Sequence, residues 1–574
     1  MDPVRRSGVF ALAALLAAGC ANGMAGADGG TSGRGGGASG GAVGATGGTR
    51  GSSGGTGGST AGTGGASGGT FGAGGLAGGA TGGGAGGDAT GGAGAAGTAG
   101  AAGSGGARGS GGAAGSGGRQ GSGGAPGSGG MAGTSGAAGT SGAAGTSGAA
   151  GTAGSDLTPA PAWSWVGVVG SGQSLAVGGH GNAPAMTIGS TTQPYHNLKL
   201  SLGNATVPPF DPTSAALSVV PLVEPLRAIA TGYPSPYPAN IYGETYHTAM
   251  ADEITALEKA NGAADLITVH TEVGEAGQSI AILQKTAKDT GTTGRAYAAS
   301  LFEVAALARL AKVQGKTYGV GTILFTHGES DNNSPTYEDD MVTLWTTYNQ
   351  DLPALTGQSF AIPMILSQQH STPTTSGSTS TATQAQWKIG VDHPGDILCA
   401  GPKYQYAYVS DQTHLTNPDY ERLGEKYAEV FDARVVHGQD WQPLQPTGAA
   451  RNGRVITVTF HVPFAPLDWD TSLPAPHQAS NTAWASGKGF EVTAGGAAVA
   501  ITSVAISGDT VAITCGADLP SSGVTVGYAF TADASPRASG TYRWGLLHDS
   551  DPLVGAGTKR SNPNYAVAFQ LNVP

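Results

Sequence analysis

Two kinds of segment in this chain could together perform acyl chemistry. The first is a serine in a glycine-rich turn, present as Gly172-Gln173-Ser174 and again as Gly277-Gln278-Ser279. The second is Asp411-Gln412-Thr413-His414. A serine hydroxyl is a weak nucleophile until an imidazole takes its proton. In a tight turn ahead of a helix, an aspartate three residues before a histidine can reach back to Nδ1. It would fix the tautomer and stabilise the imidazolium that forms, leaving the other ring nitrogen to face a serine. A third polar cluster, His327-Gly328-Glu329-Ser330-Asp331, falls at the end of an apolar run.

The surrounding elements must bring these clusters together. Short apolar runs at Trp165–Val169, Leu266–His270, Tyr318–Thr326 and Ala361–Leu366 read as strands, with Tyr404–Val409 as a fifth. Between them, Glu244–Lys259, Gly294–Val313 and Tyr337–Leu352 carry apolar residues at helical spacing. A last helix starts near Asn417-Pro418, with the asparagine as cap and the proline in the first turn. This alternation predicts an α/β domain with an open parallel sheet and helices on both faces over residues 156–438. In such sheets reactive groups gather beyond the carboxyl ends of strands, where all the polar clusters fall. From 439 to 574 the pattern changes to short strand-like runs, such as Val455–Phe460, Val499–Ile506, Val511–Thr514 and Val524–Phe530. It predicts a separate all-β, sandwich-like module.

The order of the motifs resembles the SGNH/GDSL hydrolase superfamily, in its sialate O-acetylesterase and acetylxylan esterase branch. The resemblance covers about residues 163–435. It rests on Gly172-Gln173-Ser174, on Gly-Glu-Ser at 328–330 and on Asp411-x-x-His414. It implies a flavodoxin-like three-layer α/β/α fold and a cofactor-free serine esterase acting on acetylated carbohydrates. Carried over residue by residue, it makes Ser174 the nucleophile, His414 the general base and Asp411 the partner of His414. The amides of Ser174 and Gly277 would bind the oxyanion. His327 stands where the branch has a glutamine donating a side-chain hydrogen bond to the same oxyanion, and Leu175 stands where it usually has asparagine. The branch places its nucleophile on the first strand, which favours Ser174 over Ser279. Glu329 reads as a structural hydrogen-bonding group beneath the site, and Asp331 and Asn332 as pocket or turn residues. Gly489-Phe490-Glu491-Val492 and Arg543-Trp544-Gly545 resemble segments of β modules attached to such esterases; Trp484 and Trp544 could stack on sugar, core packing being the first reading.

Other classes are disfavoured by what the sequence carries. The net charge is −11, and no run of Lys or Arg suggests a nucleic-acid partner. His180, His247, His270 and His393 form no HxH or HExxH pattern, so no metal site is expected. The three cysteines show no CxxC spacing, and Cys399 and Cys515 are expected as separate buried thiols.

The first twenty residues address the protein. Arg5 and Arg6 precede a short apolar run, which ends at Ala17-Ala18-Gly19-Cys20. The run is a secretory signal rather than a membrane span, and its end resembles the lipobox of bacterial lipoproteins. Residues 1–20 are thus expected as a lipoprotein signal peptide, with Cys20 lipidated and the protein exported to an outer membrane or cell surface; an ordinary secreted enzyme is the alternative. Residues 21–155 are almost entirely Gly, Ala, Ser and Thr, without the strict three-residue period of collagen. Such a tract reads as a flexible linker with an end-to-end distance on the order of 60–70 Å. Two further readings compete with the carbohydrate esterase: a glycan-binding lipoprotein with an inactive hydrolase fold, and an esterase for simple acyl esters. Oligomeric state leaves no trace in the sequence.

Overall fold

The computed structural model describes residues 157–179, 188–202, 210–227, 242–263, 266–286, 293–477 and 481–574. Cys20, the linker 21–155 and His180 lie outside them. The described residues all belong to one compact unit, Ser135–Pro574.

The strands of its main sheet, in chain order, are β1 (Trp165–Gly172), β2 (Leu198–Ser201), β3 (Ser218–Pro221), β4 (Thr268–Gly274), β5 (Tyr318–Thr326), β6 (Met364–Gln368) and β7 (Ile397–Pro402). They lie in the order β3-β2-β4-β1-β5-β6-β7. Neighbours pair in parallel except β2 and β3, which are antiparallel, so the sheet is mixed rather than all parallel. The helices are α1 (His247–Ala260), α2 (Ile280–Leu283), α3 (Arg295–Val313), α4 (Tyr337–Thr356), α5 (Thr381–Asp392) and α6 (Asn417–Phe431).

Alternating residues of the central strands feed two cores. Val166, Val168, Leu324, Ile365 and Leu398 point to the side of α1 and α6, where Met250, Ile254, Leu423 and Phe431 meet them. Val169, Ile323, Phe325, Met364 and Leu366 point to the side of α3, α4 and α5, against Leu307, Leu344 and Trp387. Burial on both faces is why β1 and β5 read as largely apolar runs; β4 is equally buried but carries Thr268, His270, Thr271 and Glu272.

Two expected elements change. The fifth parallel strand is β7, not Tyr404–Val409. The latter enters a hairpin in which Tyr408 bridges Leu415. Its Tyr-Gln-Tyr-Ala-Tyr alternation suits a strand, but the fully buried Ile-Leu-Cys-Ala run is what fits between helical layers. The last helix is capped by Thr416, one residue earlier than expected, and Thr416 Oγ1 donates to the Asp419 carboxylate at 2.8 Å.

Beyond residue 445 lie two four-stranded antiparallel sheets. One runs Ile501–Ser507, Thr510–Cys515, Val455–His461, Gln445–Asn452. The other runs Ala497–Ala498, Phe490–Ala494, Val524–Tyr528, Phe569–Val573. This part is not separate. Its buried Phe460, Phe490 and Phe569 belong to the same continuous core as Leu344 and Trp387. At the end of β6, Gln368 donates to the Ala568 carbonyl at 2.9 Å and accepts from the Ala568 amide at 2.8 Å, as a strand backbone would. Lys426 on α6 reaches Asp551 and Asn564, each at 2.8 Å, and Asn562 donates to the Arg422 carbonyl at 2.7 Å. Cys399 and Cys515 are free, buried thiols.

Candidate active site

Ser174 begins the turn after β1, closed by the Val177 amide on the Gln173 carbonyl and the Gly179 amide on the Ser174 carbonyl. His414 and Asp411 lie in the hairpin before α6. That hairpin is closed by the Val409 amide on the His414 carbonyl at 2.9 Å, with Gln412 in the left-handed region at φ 54°. The folding of these two strand-end turns brings together groups 240 residues apart: His414 Nε2 is 2.7 Å from Ser174 Oγ. Its Nδ1 is 2.7 Å from Asp411 Oδ2. Asp411 Oδ1 accepts from the amides of Thr413 at 2.8 Å and His414 at 3.0 Å. Burial pushes the Asp411 carboxyl up, but the hydrogen bonds from the His414 ring and from the two amides outweigh it and hold it at about 2. It is therefore a carboxylate throughout the neutral range.

Gly179 closes over this pair. A Cβ there would sit 2.7 Å from the Ser174 carbonyl oxygen and 3.1 Å from His414 Cδ2. Tyr420 of α6 donates its hydroxyl to the Gly179 carbonyl, tying that loop to the helix that follows His414.

The turn after β4 carries Gly277 at φ 69°, with open space where a side chain would be. Among the described residues neither the Gly277 amide nor the Ser174 amide has an acceptor. The turn is clamped from several sides. The Glu275 amide donates to the Gly172 carbonyl at 2.9 Å, and the Glu275 carboxylate takes a two-pronged pair from Arg295. Asp331 accepts from the Ile280 amide at 2.8 Å. The expectation that His327 aims a donor at an oxyanion fails on geometry. His327 is fully buried, and its Nε2 is 3.0 Å from the Gln278 carbonyl, which can only accept. That bond consumes the Nε2 proton, and Nδ1 then accepts from the Tyr337 hydroxyl at 3.0 Å. Burial pushes the ring's pKa down, consistent with the neutral form. His327 thus props the turn that presents Gly277.

Beneath the serine lies a buried ionic bridge. Gln173 donates to Glu329 at 2.8 Å, and the other Glu329 oxygen is 3.2 Å from the Lys403 ammonium. The ends of β1, β5 and β7 are joined through it. Lys403 is fully buried and was not singled out from sequence; a lysine after an apolar strand ordinarily reads as a solvated terminus. Asn332 donates to the Glu329 carbonyl at 3.3 Å, while its own carbonyl accepts the Ala382 amide at the start of α5.

The remaining residues singled out from sequence lie elsewhere. Ser279 precedes α2, and among the described residues no histidine bonds its hydroxyl. His247 and His270 face each other at 2.9 Å, with Glu272 2.9 Å from the other nitrogen of His247, in a buried chain between β4 and α1. His393 caps α5. Leu175 is fully buried on the α1/α6 side. Trp484 and Trp544 are core residues whose indoles donate to the Val492 and Pro474 carbonyls. Arg543 is buried and donates to the Thr372 carbonyl, bracing the loop after β6.

Solved structures of similar shape exist. One is a novel carbohydrate acetylesterase from Xanthomonas citri, at 13% identity over 71% of this chain and 80% of that one, with a TM-score of 0.44. A second is NanS, at 10% identity over 48% of this chain and 98% of that one, TM-score 0.30. A third is Est24, a carbohydrate acetylesterase from Sinorhizobium meliloti, at 14% identity over 47% of this chain and 99% of that one, TM-score 0.23. No family model matches the chain, and no curated protein does so significantly.

Proposed function

We propose that this chain is a serine ester hydrolase that removes O-acetyl groups from carbohydrates. The observation that carries the reading is the unbroken relay from Ser174 Oγ through His414 to Asp411, with both hydrogen bonds at 2.7 Å. His414 takes the serine proton as Ser174 attacks the ester carbonyl, and the Asp411 carboxylate stabilises the imidazolium. The developing oxyanion rests on the amides of Ser174 and Gly277, which have no other acceptor among the described residues. The alcohol leaves with the proton from His414, and water then repeats the cycle on the acyl-enzyme. These residues need no cofactor for that cycle.

The order β4-β1-β5-β6-β7 follows the 2-1-3-4-5 winding of flavodoxin-like sheets, and Ser174 lies at its switch point beside β5. This supports the SGNH reading of the fold. The choice of an acetylated sugar over a simple ester rests on the resemblance of Gly172-Gln173-Ser174 and Asp411-x-x-His414 to the sialate and acetylxylan esterase branch. Export and lipid anchoring through Cys20 belong to the same proposal and rest on the motif at residues 17–20.

The test is acetate release from a panel of acetylated glycans and small acetyl esters by the purified protein and its Ser174→Ala variant. Release from glycans that the variant loses supports the proposal. Turnover confined to simple esters would leave an esterase of another substrate class. A folded protein that binds glycan without releasing acetate would be the inactive-hydrolase binder.

A further inference from the structure

A second cluster of reactive side chains lies at the other end of α6. Glu258 comes from the last turn of α1. Asp432 directly follows α6 and opens a single π-helical turn, Asp432–Val436, and His437 ends that turn. The π-turn is closed by the His437 amide on the Asp432 carbonyl at 3.0 Å. Its wider step puts residues five apart on one face, where α-helical spacing would have separated them. As a result one donor atom from each of the three side chains falls within 4.8 Å of the other two.

The distances are those of a coordination shell. His437 Nε2 is 3.3 Å from Glu258 Oε1 and 3.4 Å from Asp432 Oδ2. Bonds of about 2.0–2.2 Å to a tetrahedral ion place neighbouring ligand atoms about 3.3–3.5 Å apart. The Glu258 side chain is nine-tenths buried, and its Oε1 faces His437 Nε2 without meeting the geometry of a hydrogen bond; the other Asp432 oxygen, Oδ1, is buried and also lacks a hydrogen-bond partner. Neither carboxylate is paired with a lysine or arginine among the described residues. The two neighbouring carboxylates share a single exposed imidazole, and a cation held between them would relieve the cost of burying them together.

We propose that Glu258, Asp432 and His437 bind a divalent transition-metal ion of the zinc class. One imidazole and two carboxylates suit such an ion, whereas calcium takes oxygen ligands alone. The ion fastens the end of α1 to the end of α6. It is remote from the chemistry: α6 has 15 residues, about 22 Å of helix, between Asp432 and the turn carrying His414. Its role is structural, and it stands or falls independently of the esterase reading.

The test is calorimetric titration of the chelator-treated full chain with Zn²⁺, with Ca²⁺ as control, alongside thermal unfolding with and without each ion. His437→Ala removes an exposed ligand and leaves the fold intact; Glu258→Gln probes the buried one. Expected are Zn²⁺ binding and a raised unfolding midpoint in the native chain, with affinity at least about tenfold weaker in His437→Ala. The proposal is overturned by absence of Zn²⁺ binding, by equal affinity in the native chain and His437→Ala, or by an equal rise in midpoint with Ca²⁺. Equal affinity in His437→Ala would place the ion elsewhere on the chain, and an equal effect of Ca²⁺ would mean a carboxylate site that does not use the imidazole.

Discussion

Replacing Asp411 by asparagine tests the site more sharply than removing the serine, because the structure dictates how the amide must sit. Asp411 Oδ1 accepts two backbone amides, from Thr413 and His414, so in Asp411→Asn the amide oxygen is held at that position. The NH2 group is then forced towards His414 Nδ1, 2.7 Å away in the native chain. Two donors cannot face each other, so the imidazole moves its proton to Nε2, opposite Ser174. A histidine already protonated there cannot accept the serine proton. The corresponding wrong-tautomer change in the chymotrypsin triad, a worked case for this arrangement, costs about 10⁴-fold in kcat, or about 5.5 kcal/mol of barrier. A loss of that order is expected here. Asp411→Ala leaves the tautomer free and lets water reach Nδ1, since the Asp411 side chain is 34% exposed. It should therefore be less impaired than the asparagine variant. The assay is kcat/KM for an activated acetyl ester from pH 6 to 9, with circular dichroism to confirm folding. If Asp411→Asn kept activity within about tenfold of the native chain, the orienting role of Asp411 would be refuted.

Gly179→Ala should lower kcat by about 10–100-fold with little change in KM, because its methyl displaces the Ser174 carbonyl and crowds His414; native kcat would show that this loop yields freely. Lys403→Met leaves the Glu329 carboxylate buried without its cation and should cost about 3–5 kcal/mol of stability by denaturant midpoint. The double variant with Glu329→Gln should recover much of that loss, and no recovery would mean that Lys403 acts through packing. In the β part, burial pushes His477 down, but Asp533 and Glu491 outweigh it and raise it to about 9. A raised folded pKa gives stability that is fully present below about 6.5 and lost as pH climbs through about 9. The unfolding midpoint should fall across that window, and the fall should flatten in His477→Gln. Cys20→Ser should move the exported protein from the membrane fraction to the medium; unchanged partition would rule out lipid anchoring at that residue.

The sequence made the strand-end cluster legible because the proposed nucleophile, base and orienting acid each carry a local signature: a glycine-rich turn for Ser174, and a three-residue step before a helix for Asp411 and His414. What stayed hidden depends on contacts between distant segments. Helix α5 was masked by a Ser/Thr-rich stretch that reads as loop, although Trp387 and Ile389 anchor it in the core. His327 matched the position of an oxyanion donor, but only the approach of the Gln278 carbonyl shows where its proton goes. The burial of Lys403 and Arg543 left no sign in the sequence because nothing local announces a partner lying far along the chain. Glu258 and His437 escaped a search for metal motifs for the same reason: it took a π-turn and the packing of α1 on α6 to bring them together.

The joining of the two parts of the molecule constrains how the chain can reach its native state. The strand Phe569–Val573 pairs with Val524–Tyr528, and the neighbouring Ala568 is bonded to Gln368 at the end of β6 in the main sheet. Gln368 and Ala568 lie 200 residues apart, so the shared core stays open until the later segment has been made. Such long-range pairing leaves apolar strands of the main sheet uncovered until the later segment has been made. Fragments ending near residue 438 would present bare the face that the β sheets cover. They should aggregate rather than fold into a smaller, working esterase.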